Sequence, residues 1–176
     1  MANTDGPHGF VPVRHISGGC ASTFRVALAA GNGSIGVGDL LVIDSTGTIT
    51  GRSAASPAAG TVWGVAAEPK AASAGGTILT YPGNSTVFEG QCDDGTGTAT
   101  AQTCVGNNIN IINTAPSNGI SQQELDESSA TTTNTLAFKI VGLYPVVGNA
   151  FGEFNRLEVM LNKHVLGGLG DGATGI

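Results

Sequence analysis

The sequence predicts an all-β fold: a compact β-barrel or β-sandwich of short strands with an extended N-terminal arm. Three observations lead there. Charged side chains make up only 11% of the chain, and Gly supplies 28 of its 176 residues; an ordinary soluble domain is about a quarter charged. Short apolar runs bounded by turn residues recur at intervals of roughly ten to fifteen residues, the rhythm of a sandwich or barrel. No apolar pattern of helical period is sustained beyond a turn or two.

The elements follow in order. Gly6, Pro7, Gly9, Pro12, Gly18 and Gly19 exclude a helix and any long regular strand, so residues 1–20 read as an arm. Phe10, Val11, Val13 and Ile16 give this arm apolar points that a merely solvated segment does not need. They predict docking, on its own domain or on a neighbour. Residues 21–166 read as the β domain. Its candidate strands are Phe24 to Ala29, Val37 to Ile43, Thr48 to Thr50, Thr61 to Ala67, Thr77 to Tyr81, Thr86 to Gln91 and Asn108 to Asn113. Ser45-Thr46-Gly47 and Pro82-Gly83-Asn84 are turn signals between neighbours. Ser121 with Glu124 three residues on fits a helix capping box, so one or two helical turns are expected over Ser121 to Asp126. In Thr135 to Val141, Leu136, Phe138 and Ile140 share one face. In Arg156 to Lys163, Leu157, Val159 and Leu161 do the same, leaving Arg156, Glu158, Met160 and Asn162 on a wet face. The Gly-rich residues 167–176 read as a flexible C-terminal tail. About eight short strands result.

Composition bounds the function. The net charge is −6, and the basic residues Arg14, Arg25, Arg52, Lys70, Lys139, Arg156 and Lys163 are scattered, so neither a nucleic-acid surface nor an anionic membrane is an expected partner. The opening residues lack the basic region and apolar run of a signal peptide, and no stretch reaches the length of a membrane helix; a protein made in a cytoplasm that stays soluble, or leaves without a cleaved signal, is expected. Cys20, Cys92 and Cys104 do not form a disulfide framework. Cys92 and Cys104 flank a Gly/Thr-rich loop and would be able to pair across a hairpin, although thiols stay reduced in a cytoplasm.

Candidate chemistry is sparse. His8, His15 and His164 stand at no zinc-ligand spacing, from each other or from a cysteine. The run from Asp93 faintly resembles a calcium loop, but its twelfth position is Cys104 where a bidentate Glu is needed; a polar hairpin tip is the better reading. No nucleophile elbow surrounds any Ser, and Ser17 and Ser22 near His15 do not make a triad. Gly31, Gly33, Gly36 and Gly38 lack the Lys-Ser/Thr and the helix of a phosphate loop and read as turn glycines. Glu124, Asp126 and Glu127 are the densest charge run; without an aromatic platform they read as solvated acids on a capped turn rather than a glycosidase pair. No catalytic residue, cofactor or metal site is expected.

Three stretches carry a family resemblance. Gly9-Phe10 followed by Pro12-Val13-Arg14-His15 resembles the N-terminal arm of head decoration (cement) proteins of tailed bacteriophages. Gly119 to Leu143, with Glu124-Leu125-Asp126 and the Ser/Thr run, and the closing Arg156 to Leu166 resemble the same proteins. Residues 31–118 match in style only, and the Cys92 to Cys104 loop has no place in the pattern. The resemblance implies a non-enzymatic structural virion protein, assembled in the host cytoplasm. It would bind the outer surface of the capsid as a homotrimer, its partner the major capsid protein, and reinforce subunit junctions. The arm residues Phe10, Val11, Pro12, Val13, Arg14 and His15 would dock on a neighbouring subunit or capsid protein, adding an extended strand to an exposed edge. On that expectation, removing residues 1–19 abolishes shell binding and leaves the domain folded. The alternative is a secreted or surface β-sandwich binding module for carbohydrate or adhesion, which the single Trp and sparse aromatics disfavour. A small hydrolase has no support beyond isolated acids and histidines.

Overall fold

Eleven strands appear in a computed structural model, which describes residues 3–57, 61–93 and 100–165. They are β1 (Val11–His15), β2 (Phe24–Leu28), β3 (Leu40–Ile43), β4 (Ile49–Arg52), β5 (Val62–Ala66), β6 (Gly76–Pro82), β7 (Thr86–Gln91), β8 (Asn108–Ile112), β9 (Glu124–Thr131), β10 (Phe138–Leu143) and β11 (Arg156–Leu161). The only helix among the described residues is a single 3-10 turn at Gln102–Cys104. The all-β expectation holds, and its two options combine: β2-β4-β3-β5-β6 close a barrel, and β1-β7-β11-β10-β8-β9 form a second sheet.

The barrel closes because β2 pairs antiparallel with β6 along its whole length and meets β4 in parallel at Leu28 and Ile49. Leu28, Ile35, Leu41, Ile43, Ile49, Ala66 and Ile78 fill its interior. These are small and branched side chains, which suit a narrow barrel better than aromatic rings do.

In the second sheet, β7 pairs with β1 on one side and β11 on the other. A parallel bridge from Cys92 to Leu125 brings the start of β9 back to the chain just beyond β7, so this sheet also curls toward closure. Its concave face buries Phe88, Ile109, Ile111, Leu125, Phe138, Ile140, Leu157 and Val159, and the same core takes in Leu40, Val62 and Val65 from the barrel. A shared core makes the two halves one folding unit. The seam between them is backbone: Phe10 N–H donates to Gly38 O at 2.9 Å, and Ser121 N–H to Val37 O at 2.9 Å. Gly9 permits this crossing, with φ of 72° and a hypothetical Cβ 2.3 Å from Ser121 Cβ.

Two expectations are corrected. Ser121 to Asp126 is not helical: Ser121 Oγ accepts from Gln123 N–H in a local turn, and Glu124 opens β9. Leu125 and Glu127 are buried while Glu124 and Asp126 are less so, a two-residue alternation that outweighs a cap with no amphipathic helix behind it. The late strand runs Phe138–Leu143 rather than Thr135 to Val141. The three cysteines are free thiols, so Cys92 and Cys104 do not pair. The remainder of that loop, 94–99, and the tail expected over 167–176 lie outside the described residues.

Candidate interaction surface

The N-terminal segment packs on its own domain. Phe10 is 1% exposed; its ring centroid lies 4.6 Å from that of Phe138, and its edge covers Gly90, where a Cβ would stand 2.8 Å from the ring. The next residues form an edge strand. Val11 lies opposite Glu89, Pro12 opposite Phe88, Arg14 opposite Val87 and His15 opposite Thr86, with a register shift at Val13. Arg14 makes a two-pronged pair with Glu158, one prong 2.8 Å long. His15 Nδ1 lies 2.6 Å from Ser17 Oγ. Of the six residues expected to dock on a neighbour, Val11 alone is exposed and the others are half-buried or buried. Two features make the outer edge of β1 a poor template for another strand: Pro12 offers no N–H, and the register shift bends the edge.

A charged cluster fastens this segment, and nothing in the composition announces it. Glu89 is 1% exposed. Its Oε1 accepts from Arg156 Nε at 2.6 Å and its Oε2 from His8 Nε2 at 2.9 Å. Glu158 stands directly across the ladder from Glu89, a like-charge juxtaposition that the flanking Arg14, Arg156 and His8 offset. Burial opposes ionisation of Glu89, but the bonds from His8 and Arg156 together hold its carboxyl below the usual range. The Glu89 bond raises His8 above the ordinary imidazole value against the effect of burial. Gln91 adds two ties: its Oε1 accepts from Gly6 N–H at 2.9 Å and its Nε2 donates to Thr4 O at 2.8 Å. The available signal was the two-residue alternation of Thr86 to Gln91, which puts Glu89 and Gln91 on the face opposite Phe88.

The most exposed large apolar side chains lie beyond the two ends of β7, one of them on the neighbouring barrel strand β2. Where β1 ends, Ile16 and Phe24 are 61% and 56% exposed. Phe24 there lines a cleft of about 320 Å³ with His15, Ser22, Trp63, Pro82 and Thr86. At the other end, Val147 is fully exposed on the loop joining β10 and β11. Asn149 holds that loop, donating to Tyr144 O and Arg156 O at 2.8 Å each and accepting from Arg156 N–H. At the first end Ile16 N–H donates to Ser85 O at 2.8 Å and Phe24 pairs with Thr80 of β6, so both apolar points sit on hydrogen-bonded backbone.

No group of His, Cys, Asp and Glu able to hold a metal is found among the described residues, and burial pushes the Cys92 thiol up, away from the reactive thiolate. No helix of the described residues is long and apolar enough to cross a membrane. No family model matches the chain, and neither a curated protein nor a solved structure is significantly similar to it.

Proposed function

We propose that this chain is a structural virion protein that binds the outer surface of a bacteriophage capsid as a homotrimer, contacts the major capsid protein and reinforces subunit junctions without catalysis. The observation that carries this reading is a weakly charged β surface offering apolar residues on hydrogen-bonded backbone beyond both ends of β7, one of them from the neighbouring barrel strand β2. Ile16, Phe24 and Val147 are its contact points. Such a surface loses little side-chain freedom on docking, and three copies acting together hold a shell even if each contact is weak. The family resemblance of Gly9 to His15 supports the reading too, with a change of role. These residues build the docking platform, and Ile16 just beyond them takes the contact. Light scattering on the purified protein, followed by co-sedimentation with expanded, undecorated shells, tests it. A trimer that pellets with shells is the expected result; a monomer that stays in the supernatant overturns it.

One observation favours a second reading, a surface-binding module for carbohydrate. The cleft that holds Phe24 and Trp63 offers aromatic faces beside hydroxyl and amide groups, the mixture that binds sugars. Saturable change of Trp63 fluorescence on glycan titration, without shell binding, would put this reading first.

A further inference from the structure

The contacts of His8 have a feature that packing alone does not require. Its Nδ1 lies 2.8 Å from Gly6 O, and its Nε2 lies 2.9 Å from Glu89 Oε2. Both partners are acceptors only. A neutral imidazole carries one N–H, so neither tautomer satisfies both contacts; only the imidazolium donates to each. The imidazolium is thus the form that fits this arrangement, and its charge strengthens the tie to Glu89 that works beside the two Gln91 bonds in holding residues 3–8 to β7.

We propose that His8 is a pH-released latch on the N-terminal segment. Protonated, it clamps residues 3–8 over Glu89; deprotonated, it lets them loosen while Phe10 keeps β1 in the sheet. The two halves of the segment are fastened by different physics. Phe10 is held by burial in the core, which does not titrate. Residues 3–8 are held by polar contacts: the His8–Glu89 pair, the two Gln91 bonds, and Asn3 Nδ2 donating to Ala150 O and Glu153 O at 2.9 Å each. Only the first of these contacts carries a titratable donor near neutral pH.

The charges around the ring set the direction. Glu89 on β7 attracts the imidazolium, and Arg156 on β11 repels it. Glu158, the other carboxylate of this face, is taken by Arg14 of β1, and Tyr144 lies beneath Arg156 with its ring centroid 5.0 Å away. On the segment itself, Asp5 is the one other titratable side chain between Asn3 and Gly9. When His8 loses its proton, Glu89 keeps Arg156, so the cluster survives without the latch. Loosening then uncovers the outer face of β7 and frees a short chain to reach a neighbour.

The test follows the His8 ring by NMR from about pH 5 to pH 9.5. Amide exchange of residues 3–9 is measured over the same range and corrected for the intrinsic pH dependence of exchange. His8 is expected to titrate above 6.5. Protection of Gly6, whose N–H donates to Gln91 Oε1, is expected to fall about tenfold across that midpoint, while protection in β7 and β11 stays level. In His8→Gln the side-chain amide donates to Glu89 at every pH, so the step disappears; Trp63 fluorescence checks that this variant is folded. A His8 midpoint at or below 6.5, flat protection across the midpoint, or an unchanged step in His8→Gln overturns the proposal. The NMR titration of the unaltered protein decides even if the variant fails to fold.

Discussion

At the scale of single residues, Glu89 and its two basic partners are not equivalent. Arg156 and His8 reach partly into solvent, with side chains 36% and 28% exposed, whereas Glu89 is 1% exposed. Removing Glu89 leaves two cations that water can still solvate. Removing Arg156 leaves a buried carboxylate with His8 as its remaining ion partner, and a buried charge stripped of a partner is strongly unfavourable. Arg156→Ala is therefore expected to destabilise by about 3 kcal/mol and Glu89→Gln by about 2 kcal/mol, an order that urea unfolding checks. Phe10→Ala opens a cavity beneath Gly90 and Phe138 and is expected to lose about 3–5 kcal/mol, measurable by the same method. A loss below 1 kcal/mol would mean that the core closes over the gap. The residues of the arm left Phe10 open to docking on its own domain or on a neighbour, and only the family resemblance assigned it, with Arg14, to a partner. Pattern shows that a side chain is apolar or charged, whereas the identity of what it touches depends on the chain returning some eighty residues later as β7.

At the scale of elements, β1 changes what the N-terminal deletion means. Removing residues 1–19 takes Phe10 out of the core, bares one edge of β7 and strips Glu89 and Glu158 of His8 and Arg14. An open strand edge beside a buried Glu158 stripped of Arg14 favours aggregation. The truncated chain is expected to be unfolded or aggregated by circular dichroism and size exclusion, not a folded domain that merely ignores shells. Surface substitutions separate the two effects. Ile16→Asp with Phe24→Asp alters exposed side chains, so stability should change by less than about 0.5 kcal/mol per site, while co-sedimentation with shells is lost. Full shell binding by this double variant would remove that end of the sheet from the contact. Strands with clear alternation were legible in the sequence: β11 begins at the residue expected, and β7 matches at both ends. The helical turn over Ser121 to Asp126 misled because a capping signal is local, whereas β9 exists through its pairing with β8.

At the scale of the whole molecule, two histidines pull stability in opposite directions. His8 is raised above 6.5 by its bond to Glu89, so the stability it adds is fully present below 6.5 and is lost as pH rises through its folded value. His164 is lowered below 6.5 by burial, so its contribution is present above 6.5 and is lost as pH falls toward its folded value. Together they predict a stability maximum close to pH 6.5, read from melting temperature against pH. Below that, Glu89, held under 4.5, adds a further loss as pH falls through its folded value. His8→Gln should flatten the alkaline limb and leave the acid limb in place.

The sequence by itself determined the strand class, the turn positions, the poverty of charge and the apolar character of the N-terminal segment. These are properties of short stretches, set by side-chain alternation and by the backbone freedom of Gly and Pro. Tertiary structure alone decided that five strands close a barrel while six form a curled sheet sharing its core. It also decided that Phe10 belongs to that core, and that His8, Glu89 and Arg156 meet. Contacts between residues 67 or more positions apart depend on which strand edges pair, and edge pairing is settled by the joint burial of a whole core rather than by any local pattern.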